Sequence, residues 1–131
     1  MKKIGILNQP ISAVIAGLGH LDRVIVADAG LPIPPESPRI DLALTKDIPT
    51  FLDTLRVVLT EMQVERAIVA EEMVKISPQV YEAIKALLSD IPIETVSHLN
   101  FKEQIRSARA VIRTGEFTPY ANIILVAGVV F

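Results

Sequence analysis

The sequence predicts a single α/β domain of three layers, a largely parallel sheet flanked by helices. Three observations predict it. Apolar runs of strand length alternate with stretches of helical periodicity, joined by short connections, through most of the 131 residues. The run from Val24 to Ala27 is continuous rather than alternating, as in a strand buried on both faces. Half of the residues are hydrophobic but only 5% are aromatic, so the core palette is Ile, Val, Leu and Ala.

From the N-terminus, NQPISAVIAGLG reads as a short helix, with Asn8 as N-cap, Pro10 in the first turn and Gly19 as the stop. Ile11, Val14, Ile15 and Leu18 fall on one face. RVIVADAG is a buried strand closed by Asp28 and Gly30. LPIPPESPR holds four of the nine prolines and reads as a stiff loop. IDLALT is a short alternating strand. DIPTFLDTLRVVLTEM is expected to be the longest helix, burying Phe51, Leu52, Leu55, Val58, Leu59 and Met62.

ERAIVAEEMV reads as a strand with an acidic exit, and SPQVYEAIKALLSD as a helix with Ser77 as N-cap and Pro78 at N1. IETVSH is a strand ending at His98. NFKEQIRSA is a short helix in which Asn100 and Glu103 have capping-box spacing. RAVIRTG and YANIILVAGVV are the last strands, joined by GEFTP. They are close enough to pair as a hairpin, which would make the sheet mixed.

Composition excludes several functions. The net charge is −2 and no basic stripe or aromatic platform is visible, which argues against nucleic acid. Without cysteine there is no disulfide, zinc–thiolate site or thiol nucleophile, and the cytoplasm is the expected compartment. Asn8, Gln9 and Pro10 break the N-terminal apolar run, unlike a signal peptide. The run IILVAGVVF is too short to span a bilayer as a helix, so no membrane insertion is expected. A mean hydropathy of +0.44 is high for a chain of this size and suggests that part of the surface is an oligomer interface.

Polar residues recur where strands end: Asp28, Glu71 and Glu72, Ser97 and His98, Arg113 and Thr114. Ligands of open α/β sheets bind outside the carboxyl ends of the strands. His20, Asp28, His98 and the segment GEFTPYAN are therefore expected to meet at one rim. Each residue also has a plain structural reading. His20 follows a helix-ending Gly, Asp28 suits a turn, Lys102 suits solvent, and Glu71 and Glu72 suit a solvated strand exit. Tyr120 and Asn122 share parity and would face the same way in an extended segment, as hydrogen-bonding groups for a polar ligand. No dinucleotide fingerprint, P-loop, G-x-S-x-G or H-x-x-x-H is present, and no metal is expected. The set His, Asp, Tyr and Asn suits a polyhydroxyl ligand and proton transfer.

Over essentially its whole length the chain resembles the D-ribose pyranase family, relatives of the L-fucose mutarotases. The resemblance rests on MKKIGILN, GLGHLDRVIVADAGLPIP, VSHLNFK and above all VIRTGEFTPYANIILVAGVVF. It implies a cofactor-independent isomerase that interconverts pyranose and furanose forms of D-ribose, and its anomers, in the cytoplasm. It implies a homodecamer of two stacked pentamers with sites near subunit boundaries. It places the proton donor at His20 and sugar-binding groups at Asp28, His98, Tyr120, Ala121 (through main chain) and Asn122, with Lys102 as a further neighbour. Leu21 stands where threonine is usual, and Gln9-Pro10 replaces a more polar pair. Two readings stay beside this one: a mutarotase for fucose or another sugar, and a non-catalytic sugar-binding module linked to ribose transport. Whether His20 serves its own subunit's rim is open, because a strand separates it from Asp28.

Overall fold

The computed structural model describes residues 1–131 as one α/β unit around a six-stranded mixed sheet. In chain order the elements are α1 (Gln9–Ala16), β1 (Arg23–Ala27), β2 (Arg39–Asp41), α2 (Phe51–Leu59), β3 (Val64–Ala70), α3 (Glu71–Ile76), α4 (Pro78–Leu88), β4 (Ile93–Val96), α5 (His98–Gln104), a 3-10 turn (Ile105–Ser107), β5 (Ala110–Arg113) and β6 (Ile123–Ala127). The strand order is β2-β5-β1-β6-β3-β4.

Five strands run one way. β5 is parallel to β1 and β2, β3 is parallel to β4, and only β6 is antiparallel, to β1 on one side and β3 on the other. Ile123 therefore pairs with Val26 and Val69, at the carboxyl ends of β1 and β3. This reversal sets the positions of the functional residues. The segment entering β6 lies at the carboxyl rim of the parallel strands, and the tail leaving it lies at the opposite rim. Flanked on both edges, the IILVA of β6 is buried throughout, which explains its unbroken apolar run.

Alternate residues of the central strands feed two cores. Val24 and Val26 pack with Ile11, Phe51, Leu55, Val58, Ile84 and Leu88 under α1, α2 and α4. Ile25 and Ala27 pack with Phe101, Ile105 and Val111 under α5 and the 3-10 turn. The three layers expected from sequence are thus present, with the thicker helical layer on the first face.

Several elements depart from the sequence reading. The last two strands do not form a hairpin: β5 pairs on one edge of β1 and β6 on the other, so residues 114–122 cross the end of β1. The first helix ends at Gly17 rather than Gly19, with the Gly17 N–H bonded to Ala13 O. The second strand stops at Asp41, whose carboxylate turns back to accept from the Ala43 N–H. The longest helix is α4, with eleven residues. Helix α2 has nine, because Thr50 caps it at the Asp53 N–H and the Thr60 hydroxyl closes it at Val57 O.

Glu71 and Glu72 follow β3 directly, but as helix rather than as a solvated exit. They open α3, where acidic residues favour a helix N-terminus and Lys75 favours the last turn. Ser77 holds the N-cap position of α4 as expected, with Pro78 first in the helix, but its hydroxyl makes no cap bond and instead donates to Pro119 O at 2.7 Å. His98 is not a strand residue but the first residue of α5. The cap of that helix is Ser97, not Asn100. No helix is long and apolar enough to cross a membrane.

Candidate functional site at the carboxyl rim

The crossing segment 114–122 roofs the end of β1 and is tied down on every side. Thr114 bonds to Ala27 O through both its N–H (2.9 Å) and its hydroxyl (2.7 Å). Gly115 passes so close to the 45–48 turn that a Cβ there would lie 2.4 Å from Thr45 O and 2.5 Å from Ile48 O. No residue larger than glycine fits without moving backbone. The Glu116 carboxylate accepts from the Phe51 N–H at the start of α2 and from the Thr118 hydroxyl. Pro119 O takes the Ser77 hydroxyl. Arg113 donates through Nε to Ala29 O and through Nη1 to both Asp41 carboxylate oxygens, fixing the loop after β1.

A cavity of about 530 Å³ opens beneath this roof. Four expected residues line it: Asp28, His98, Tyr120 and Asn122. Asn122, almost wholly buried, clips Asp28 at two points. Its Oδ1 accepts the Asp28 N–H at 2.8 Å, and its Nδ2 donates to the Asp28 carboxylate at 2.9 Å. The other Asp28 oxygen accepts the Gly30 N–H at 2.9 Å. Burial pushes the Asp28 carboxyl above its ordinary value, against the lowering effect of the bonds from Gly30, Asn122 and Leu31 and of nearby His98. The aspartate is thus held rigidly and is costly to keep charged, a poised acceptor for a hydroxyl.

His98 is fixed by α5. The Glu72 carboxylate accepts its N–H at 2.8 Å, the Phe101 ring stacks on one side, and the Tyr120 ring meets it edge-on at 5.0 Å. Burial, then the positive charge of Lys102, lower the imidazole below its ordinary value, opposed by Glu72 and Asp28. Its Nδ1 is buried with no partner in the protein. His98 is therefore a neutral hydrogen-bonding group near pH 7. Because α5 starts at His98, Lys102 stands one turn on, outside the cavity lining, and reaches the site through its charge.

Tyr120 and Asn122 do share the cavity, but not by extended parity. Tyr120 adopts a left-handed backbone (φ 62°), and the Asn122 N–H bonds to Tyr120 O in a tight turn. Ala121, between them, is fully buried and packs into the core. Arg113, Glu116, Phe117 and Thr118 also line it. The sequence pointed to their segment as a block, but not to their separate tasks. Those depend on distant partners: Phe51 is 65 positions from Glu116, and Ala29 is 84 from Arg113. No group of three or more His, Asp or Glu side chains is placed to hold a metal ion.

His20 is not at this rim. It lies before β1, and at about 3.3 Å per residue the five residues of β1 alone hold it about 16 Å from Asp28. It lines a second cavity of about 410 Å³ at the opposite rim, with Leu18, Met62 and the tail 128–131 that leaves β6. Its Nε2 lies 2.9 Å from a Glu65 carboxylate oxygen. The sequence gives no hint of this contact, because Glu65 is one of several charged residues near strand starts.

The model of the RbsD / FucU transport protein family matches residues 1–130. The chain is 56% identical over 131 residues to the D-ribose pyranase of Chloroflexus aggregans, covering all of both chains. It is also 56% identical to that of Geobacillus thermodenitrificans, covering all of this chain and 99% of the relative. Among solved structures, Bacillus subtilis RbsD complexed with D-ribose superposes over the full length of both chains with a TM-score of 0.97 at 48% identity. The fucose mutarotase of Streptococcus pneumoniae, in complex with L-fucose, matches at TM-score 0.78 over 95% of each chain. At 23% identity that likeness carries the fold alone.

Proposed function

The chain belongs to the RbsD / FucU transport protein family, and from that premise we propose that it is a D-ribose pyranase. It interconverts the pyranose and furanose forms of ribose, and their anomers, without a cofactor. The observation that carries this reading is the Asp28–Asn122–His98–Tyr120 cavity. It is a rigid, polar, sugar-sized site, in a chain 48% identical to a ribose-complexed neighbour over its whole length.

The reaction needs only proton transfers. The anomeric hydroxyl of ribopyranose gives up its proton, the ring oxygen takes one, and the C1–O5 bond breaks to leave the aldehyde. After rotation the 4-hydroxyl adds to C1, loses its proton, and the carbonyl oxygen regains one. General acid–base catalysis of such steps contributes ~10²–10⁴-fold. His20 is the proton donor and acceptor. Asp28, His98, Tyr120 and Asn122 hold the sugar hydroxyls, Ala121 sets the main chain between the last two, and Lys102 adds to the burial that keeps His98 neutral.

His20 and the cavity stand at opposite rims of one chain, so the complete site takes His20 from a neighbouring copy. Exposed Ile4, Leu7, Leu21, Val129, Val130 and Phe131, several of them around the His20 rim, support burial of that rim against another subunit in a ring-shaped decamer of two stacked pentamers. The compartment is the cytoplasm.

The test is NMR exchange between the pyranose and furanose signals of ribose. The protein accelerates the exchange, and His20→Ala abolishes the acceleration while still folding. Ribose binding without acceleration by the unaltered protein would instead make it a non-catalytic binding module. Faster exchange of fucose than of ribose would make it a fucose mutarotase.

A further inference from the structure

We infer that Glu65 is the positioning residue of His20: it fixes the imidazole's direction and tautomer, so that Nδ1 is the nitrogen that exchanges protons with the sugar. The inference rests on the proposed role of His20. Three features of the structure carry it.

The first is the contact itself. Glu65 Oε2 lies 2.9 Å from His20 Nε2. A carboxylate accepts only, so Nε2 carries the proton and Nδ1 is left with the lone pair. The second is the strand that presents Glu65. The register of β3 on β6 shifts between Val64 and Arg66, which pair with Ala127 and Val126. Glu65 is the extra residue of this bulge, and bulges re-aim side chains. Gly128 makes room for it, since a Cβ there would lie 3.1 Å from Glu65 Cβ.

The third is the backbone of His20. Leu21 is left-handed (φ 70°), and its N–H bonds to Ala127 O at 2.9 Å. Asp22 accepts the Gly19 N–H and pairs with Arg109, and its own carbonyl takes the Ala127 N–H. The turn 19–22 is therefore pinned to β6, and the ring's remaining freedom is its side-chain torsions. Glu65 removes it. The other carboxylates nearby are engaged elsewhere: Glu61 holds the Ile6 N–H and Lys2, and Asp22 holds Gly19 and Arg109. Glu65 is the one that meets the ring.

The experiment compares ribose exchange kinetics in Glu65→Ala, Glu65→Gln and His20→Ala. Glu65→Ala lowers kcat roughly tenfold at unchanged KM, because the sugar is held by the other rim. Glu65→Gln, whose amide oxygen still accepts from Nε2–H, keeps kcat within about threefold of the unaltered protein. If Glu65→Ala does not fold, Glu65→Met keeps the stem beneath Gly128 and carries the same expectation. Wild-type kcat in Glu65→Ala, with His20→Ala inactive, overturns the Glu65 inference alone. So does a rise in KM without a fall in kcat, or a Glu65→Gln variant as slow as Glu65→Ala. Full exchange activity in folded His20→Ala overturns the His20 reading on which it stands.

Discussion

Replacing Asn122 with alanine removes both bonds that clip the segment 114–122 to Asp28. The Asp28 N–H loses its acceptor at 2.8 Å, and the carboxylate loses its donor at 2.9 Å. A buried backbone N–H left unpaired costs about 1–3 kcal/mol, and a bond to a charged group is worth about 1.5–3 kcal/mol. Water entering from the open cavity recovers part of this, so a net loss of about 2–4 kcal/mol is expected. For a domain of this size that lowers Tm by about 6–14 °C. Asp28 also loses a partner that favours its charged form, so its carboxyl moves further up. Ribose affinity falls about tenfold, since a hydroxyl partner is gone and its neighbour is loosened. The assay is thermal unfolding at pH 7 beside calorimetric ribose titration. A Tm within about 2 °C of the unaltered protein, with unchanged affinity, would refute both the clip and the sugar-binding role.

The same geometry sets other expectations. Tyr120→Phe keeps the ring edge on His98 and the left-handed turn, so Tm stays unchanged while ribose affinity falls; unchanged affinity in a titration would show that the hydroxyl does not touch sugar. Gly115→Ala forces backbone apart at Thr45 and Ile48 and should destabilise by about 3 kcal/mol or more, read by chemical denaturation. His98 should titrate by NMR below its ordinary value of 6.5. With the folded pKa depressed, the unfolded chain binds more protons between the folded value and about pH 6.5. The stability His98 contributes is therefore present above that pH and lost as pH falls through the folded value, and His98→Gln should flatten that slope.

The layers, the buried strands and the rim were legible because they depend on local signals: apolar runs, Pro and Gly punctuation, and polar residues where runs end. Asp28, His98, Tyr120 and Asn122 came together at the expected rim, while His20, expected with them, lies at the other. The illegible part depends on long-range pairing. Nothing local distinguishes a hairpin of the last two strands from β6 inserting on the far edge of β1, yet that choice brings Asn122 to Asp28 and the tail to His20. The start of α5 turned on whether Ser97 or Asn100 caps it, and both are good caps. Ser77 reads as a cap by sequence and acts as an anchor for Pro119, 42 positions away. Glu65 was invisible because a bulge has no sequence signature when glycine does not mark it.

The central claim is that a working site joins His20 of one copy to the Asp28 rim of another. Co-expressing His20→Ala with Asp28→Ala subunits tests it most directly, by NMR exchange of ribose in the mixed oligomer. Each variant alone should leave exchange near its uncatalysed rate. The mixture should recover about a quarter of the wild-type acceleration, the statistical share of boundaries that pair an intact His20 with an intact Asp28. A mixed oligomer as inactive as its two parents would contradict the account.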